Sequence, residues 1–428
     1  MNSLREKLIT FIDKYLIYFF IGFGVLTLLP NITVFSNGLE NGSTGGTVYR
    51  GIILGLICIF FAILLLCYKK LPNKFIILGC AIYLVTQLIT IFVSPAIKNV
   101  EVPAMQSIMG VATVISTIIT VFVAYFLLTS HTFNKESFNI VCYFLLGIGI
   151  ASCLYTYIFQ YKEIGSVLTD KHGWNFQVVS IYTSKNYYGF ILLISSIFTV
   201  ILALNTKKYF LYAFPTFFLF NAFLCRAKYP IIFIFVILIA VLIYHIKTGY
   251  KNHEKAWNIA LGVGAGVIVL LCLFTFVPLL NFGPFIKLNY FFKNTILNDG
   301  VTVMKDRYFK DARIIKAVDY PLGIMFGCGE RIANYILQYP AELRGDDLYV
   351  DTYGFGGIVK VLLYLAFLAY VLYKVIKMKG EHKGFSILFV VIFILSGMFA
   401  DNSVVGVGLT FLFAAPFLYT SPFVQNIN

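Results

Sequence analysis

Charge is scarce in this chain of 428 residues: 33 basic and 19 acidic side chains amount to 12% of it, about half the ordinary globular share. So few solvating groups, beside 60% hydrophobic and 18% aromatic residues, exclude a soluble domain, intrinsic disorder and a charged coiled coil. Cysteine offers no disulfide framework. Of eight, Cys58, Cys67, Cys80, Cys142, Cys153, Cys225 and Cys272 fall in or at the ends of apolar runs, and only Cys328 lies in a polar loop. CxxC and HExxH patterns, internal repeats and low-complexity tracts are all absent, so neither a metal nor a cofactor is expected. What remains is membrane chemistry. In that class the net charge of +14 is sorted by membrane side before any partner is inferred, and it does not call for nucleic acid.

A helix needs about 20 apolar residues to cross the hydrocarbon core. Runs near that length recur at 15–30, 51–67, 75–95, 104–128, 138–160, 187–204, 209–225, 229–246, 257–280, 354–376, 384–400 and 403–420. The expected fold is therefore an all-α polytopic membrane protein of about twelve transmembrane helices. The N-terminal stretch begins with Arg5 and Lys7 in the manner of a signal peptide. No small-residue cleavage site follows Pro30, and the stretch reads as a retained first span.

Sidedness follows from the bases in short loops. Sixteen lie on the side of the N-terminal tail, from Arg5, Lys7 and Lys14 through Lys69, Lys70, Lys74, Lys135, Lys207, Lys208 and the groups at 247–255 and 374–383. Seven lie opposite: Arg50, Lys98, Lys162, Lys171, Lys185, Arg226 and Lys228. Both termini are expected to be cytoplasmic, as an even number of spans requires. Residues 281–353, between the ninth and tenth spans, hold nine bases and nine acids, and a loop of that length translocates despite its bases. The organisation read is nine spans in 1–280, a large extracytoplasmic loop in 281–353 and three spans in 354–428.

The spans carry almost no ionisable groups, Lys360 and residues at span ends apart, whereas ion-coupled carriers keep such groups near mid-membrane. Functional polar groups are expected at the outer face, an interface suited to a substrate with a lipid tail and a polar head. There, Arg307, Lys310, Arg313 and Lys316 recur every third residue before Pro321, a spiral stripe that turns by about 60° per step. Arg supplies a bidentate fork for phosphate, while Arg307 and Asp311, four apart, also suit a surface ion pair. Arg226 and Lys228 form a turn too short to be a solvated loop, so the guanidinium either snorkels to headgroups or reaches a polar cavity. Asp346, Asp347 and Asp351 precede Gly354 and suit a helix N-terminus. One of them also suits a general base or sugar-hydroxyl ligand, and Arg344 adjoins the first two.

Several short motifs resemble a known family. They are Ser184-Lys185-Asn186-Tyr187-Tyr188-Gly189, Cys225-Arg226-Ala227, Arg307 followed by Asp319-Tyr320-Pro321-Leu322-Gly323 and Phe326-Gly327-Cys328-Gly329, and Asp347-Leu348-Tyr349-Val350-Asp351 with Tyr353-Gly354-Phe355-Gly356-Gly357. Their order over roughly 180–375 resembles the O-antigen ligase and polymerase superfamily of bacterial polysaccharide assembly. The resemblance implies a GT-C-like membrane glycosyltransferase in the bacterial cytoplasmic membrane. It would take a glycan from undecaprenyl pyrophosphate at the outer face and join it to an acceptor, with Arg226 and Arg307 on the pyrophosphate. Asp347 or Asp351 would orient or deprotonate the acceptor hydroxyl. Asn186, Lys228, Arg313, Arg344 and Asp346 are the further substrate-binding candidates.

Ligases of that superfamily carry a His-Asn pair where Asp346-Asp347 stand here, and 281–353 contains no His, which favours the polymerase branch. Donor and acceptor are then both lipid-linked oligosaccharide repeat units, in the company of membrane lipids, a flippase and a chain-length regulator. Two alternatives stay open: transfer of the glycan to another acceptor by a ligase, and a transporter or flippase without covalent chemistry.

Overall fold

A computed structural model describes residues 2–29, 32–33, 74–129, 135–169, 178–182, 185–252, 315–316, 318–329, 332, 336, 348–377 and 383–397, with scattered positions in 49–63 and 266–289. The described residues are almost entirely helical, without a β-strand. The helices are α1 (Asn2–Leu28), α2 (Lys74–Ile97), α3 (Ala104–Thr129), α4 (Lys135–Phe159), α5 (Tyr161–Thr169), α6 (Lys185–Thr206), α7 (Ala213–Cys225), α8 (Lys228–Asn252), α9 (Pro321–Phe326), α10 (Leu348–Lys377) and α11 (Lys383–Gly397), with a 3-10 turn at Tyr209–Tyr212 before α7. Among the described residues, four stretches are long and apolar enough to cross a membrane, namely Lys74–Ile97, Asn139–Phe159, Lys185–Thr206 and Tyr229–Thr248. Together with the composition they mark a membrane protein whose described residues are built from α-helices.

The helices differ from the expected spans mainly at their ends. α1 starts at Asn2 rather than 15, because a helix continues through polar residues once nucleated while hydropathy marks only its oily part. α10 starts at Leu348 rather than 354, and the expected span 209–225 is a 3-10 turn joined to the thirteen residues of α7. Of the expected spans, 51–67 and 257–280 contain only scattered described positions, and 403–420 lies outside the described residues.

The chain forms two compact units, residues 1–138 with 306–428, and residues 139–305. In the second, α6 is the hub, packed against α7 and α8. Every residue from Tyr187 to Leu204 is buried, so no face of this apolar helix is left for lipid. α4 approaches it closely at Gly149, where an added Cβ would sit 2.8 Å from Ser195 Cβ, and Ser195 Oγ donates to the Leu145 carbonyl at 2.9 Å. Small residues at such crossings let helix backbones meet where hydrophobicity alone does not distinguish protein from lipid.

In the first unit α2 packs against α3, α9 and α10, and α10 against α11. Tyr83, Ile91, Val114, Val318, Cys328, Ile332 and Ile336 form its core. α2 ends in a Schellman arrangement. Asn99 takes the left-handed position (φ 51), Val100 N–H donates to the Pro95 carbonyl and Asn99 N–H to that of Ala96. The opposite flank is lipid-suited, with Phe75, Val85 and Phe92 more than half exposed.

Candidate functional site

Arg226 caps α7. Its backbone is left-handed (φ 55), and its N–H closes the last turn onto the Phe223 carbonyl. The side chain is 3% exposed and turns inward, where Nη2 donates to the Val167 carbonyl at 2.9 Å. That carbonyl belongs to the last turn of α5, among those an α-helix leaves without an internal partner. A guanidinium is well suited to it, since the helix C-terminus carries partial negative charge.

Two of the sequence motifs meet at this turn. A Cβ on Gly189 would lie 2.7 Å from Pro230 Cγ and 2.8 Å from Ala227 Cβ, so the start of α6 is seated on Ala227 and Pro230, directly after Arg226. Tyr229 OH donates to the Asn186 carbonyl at 2.8 Å, leaving the Asn186 side chain exposed at the rim. Lys228 opens α8.

Beneath the turn lies a buried layer of neutral polar side chains that hydropathy does not reveal. Ser152 Oγ donates to the Ile148 carbonyl at 2.7 Å, so its 2.8 Å contact with Tyr182 is donated by the phenol. Tyr188 OH donates to Asn221 Oδ1 at 3.2 Å and lies 3.4 Å from Thr156 Oγ1, which donates back to the Ser152 carbonyl at 3.1 Å. Tyr182 packs on Tyr187 and Tyr188, ring centres 5.2 and 6.0 Å apart. Ser180, also left-handed (φ 58), donates its hydroxyl to the Ser152 carbonyl at 2.6 Å. Of these residues only Tyr187 and Tyr188 belong to a sequence motif. The available signal was the clustering of Ser, Thr, Asn and Gln at helix ends on the side assigned outward.

The first unit has its own motif pairing. Cys328 N–H donates to the Gly354 carbonyl at 2.8 Å and Gly329 N–H to that of Phe355 at 3.0 Å. The two glycine-rich motifs are thus joined backbone to backbone. The carbonyls are free to accept because α10 breaks at Gly357 (φ 60, ψ −164). Gly327 has nearly the same conformation (φ 74, ψ −163), which is accessible essentially to glycine alone. A Cβ on Gly327 would meet the backbone of Phe355 and Gly356, and one on Gly357 that of Met325 and Phe326. α2 lines this crossing with Gln87 and Thr90, both fully buried; Gln87 Nε2 donates to the Phe326 carbonyl at 3.3 Å, and Thr90 Oγ1, which donates back to the Thr86 carbonyl at 2.7 Å, lies 3.4 Å from the same carbonyl. Tyr320 OH donates to Ser94 at 2.9 Å, and Lys98 Nζ stands 4.5 Å from the centre of the Tyr320 ring. Lys360 Nζ lies 5.6 Å from the Tyr83 ring centre.

Cys328, read as a loop cysteine, is 1% exposed. Burial pushes its thiol up to about 12, and the Tyr320 phenol likewise to about 12. Since the thiolate is the reactive form, Cys328 should resist maleimide at pH 7.5 in the folded protein and label fully after unfolding in detergent. Rapid native labelling, followed by mass spectrometry of the 320–330 peptide, would contradict this burial.

Among the acidic and basic candidates, Asp351 lies in the first turn of α10. Arg307, Arg313, Arg344, Asp346 and Asp347 lie outside the described residues. The described residues hold no group of three or more His, Cys, Asp or Glu suited to a metal ion. No family model matches the chain, and neither a curated protein nor a solved structure matches it.

Proposed function

We propose that this protein is a bacterial polysaccharide polymerase. It would use undecaprenyl-pyrophosphate-linked oligosaccharides as donor and acceptor at the outer face of the cytoplasmic membrane, within a twelve-span GT-C-like frame. The observation that carries the proposal is Arg226, a buried guanidinium in a left-handed turn on which the motifs Ser184–Gly189 and Cys225–Ala227 converge. A second support comes from each unit taken separately. Buried polar side chains gather at the C-terminal end of α2 in one and around the α4–α5 and α7–α8 junctions in the other. These are the ends that the lysine asymmetry assigns outward.

Chemically, the leaving group is a lipid pyrophosphate on which negative charge grows as the glycosidic bond breaks. Arg226 is assigned to that charge, held beforehand in a site from which water is largely excluded. Arg307 is given the same role from its motif alone. Asp347 or Asp351 is assigned to the acceptor hydroxyl, to orient it and take its proton. Asn186, Lys228, Arg313, Arg344 and Asp346 complete the proposed substrate contacts.

The experiment is polymerisation in proteoliposomes supplied with lipid-linked repeat units. Arg307→Ala is expected to lose nearly all activity, because a fixed ligand meets one side of a stripe that winds about 60° per step. Lys310→Ala and Lys316→Ala should remain within a few-fold of wild type. Equal small losses at all three would reduce the stripe to a solvated surface. Absence of polymer from the wild-type protein would remove the polymerase reading.

A further inference from the structure

Gln160 is the one residue between α4 and α5, and its side-chain amide grips a single backbone unit from both sides. Ser180 N–H donates to Oε1 at 2.9 Å, and Nε2 donates to the Ser180 carbonyl at 3.1 Å. Ser180 is 2% exposed and left-handed, so this clamp satisfies groups that water does not reach. Two residues upstream, Val178 N–H donates to the Leu224 carbonyl at 3.3 Å, in the last turn of α7 and two positions before Arg226. In the other direction the chain runs from Gln160 through α5 to Val167, whose carbonyl receives the Arg226 guanidinium. The path from Gln160 to Arg226 is therefore a closed ring. One arm reaches the arginine's backbone, the other its guanidinium, and both left-handed residues of this unit's buried outer layer sit in it.

We infer that Gln160 is a positioning residue for Arg226, setting through Ser180 and Val178 where the arginine's backbone stands and through α5 the carbonyl that aims its fork. The inference rests on the proposed role of Arg226 as a pyrophosphate ligand. An orienting frame differs from a stabilising one in what it controls. It governs how well a planar fork matches two linked phosphates, so its loss degrades discrimination between pyrophosphate and monophosphate as well as affinity.

The test uses the purified full chain in nanodiscs, titrated with farnesyl pyrophosphate and farnesyl monophosphate, with the melting temperature recorded in parallel. Gln160→Glu keeps the acceptor for Ser180 N–H and exchanges the donor for an oxygen facing the Ser180 carbonyl. It is expected to weaken farnesyl pyrophosphate binding about tenfold or more. The preference over the monophosphate should collapse, with the melting temperature within a few degrees of wild type. Arg226→Ala should abolish the preference altogether. Unchanged affinity and preference in Gln160→Glu, while Arg226→Ala loses both, would overturn the positioning role alone. A wild-type protein that binds neither lipid would overturn the pyrophosphate reading and the inference with it. Gln160→Asn, one methylene shorter, serves as second variant. Failure of both variants to give folded protein would assign Gln160 to the fold instead.

Discussion

Alanine at Gly357 is expected to deprive the protein of most of its folded population. At φ 60 and ψ −164 the added Cβ imposes a backbone strain of about 3 kcal/mol. The methyl would also point into the backbone of Met325 and Phe326, which cannot step aside as a side-chain tip would. The crossing is held by the hydrogen bonds from Cys328 and Gly329 to the carbonyls of Gly354 and Phe355, and separating the chains to admit the methyl stretches both. Against a total stability of about 5–15 kcal/mol, that is a large share. Gly79→Ala is the matched control in the same unit, since its Cβ would find only Leu363 Cδ2 at 3.7 Å. It should leave stability unchanged or raise it by up to about 1 kcal/mol through helix propensity. Melting curves of the purified variants decide the matter. Equal melting temperatures for Gly357→Ala and Gly79→Ala would show that the crossing does not constrain the fold. Gly327→Ala should behave as Gly357→Ala, and the double variant should cost less than the sum, because either methyl alone parts the same two backbones.

This crossing also shows where sequence reading reaches its limit. The motifs Phe326–Gly329 and Tyr353–Gly357 were visible as glycine-rich punctuation, and their order suggested a family. Which glycine breaks the helix was not legible, because Gly354, Gly356 and Gly357 carry the same local signal and only the partner backbone selects the last. The apolar runs gave α2, α4, α6 and α8 to within a few residues, since crossing hydrocarbon is a one-dimensional requirement that a sequence displays directly. They could not show that α6 is enclosed by protein on every side. Leucine and isoleucine suit lipid and core equally, so the pattern around a hub helix looks like that of its neighbours.

The polar layer around Arg226 was hidden for a different reason. Ser196 and Thr199 bond back to their own helix at Leu192 and Ser195, as isolated hydroxyls in apolar helices generally do. Ser152 and Thr156 read the same way along the chain. What sets them apart is convergence with Ser180, Tyr182, Tyr188 and Asn221, from segments up to about seventy residues away. In the sequence the cramped position of Arg226 suits headgroup and interior equally. The left-handed turn at Arg226 and the waiting carbonyl of Val167 select the interior.

Under the proposed function, substitutions at Arg226 should separate its part in the fold from its assigned part in the chemistry. A left-handed cap position favours glycine, and a non-glycine residue there costs about 1–2 kcal/mol. Arg226→Gly relieves that cost and the burden of a buried charge, while giving up a charge-assisted bond to Val167 worth about 1.5–3 kcal/mol. The opposing changes nearly cancel, and the melting temperature should stay within a few degrees of wild type. Arg226→Lys keeps the positive charge and a donor for the Val167 carbonyl but lacks the planar fork. If the guanidinium only capped α5, lysine would be an adequate substitute and glycine a tolerable one, with activity following stability in both. If it meets a pyrophosphate whose charge grows during transfer, both variants lose a preorganised contact worth about 3 kcal/mol, or roughly two orders of magnitude in rate. On the polymerase proposal, the expected result is that Arg226→Gly and Arg226→Lys insert, accumulate and melt as the wild type does, yet make polymer at about one hundredth of its rate. Wild-type chain length from Arg226→Lys would limit Arg226 to the capping of α5.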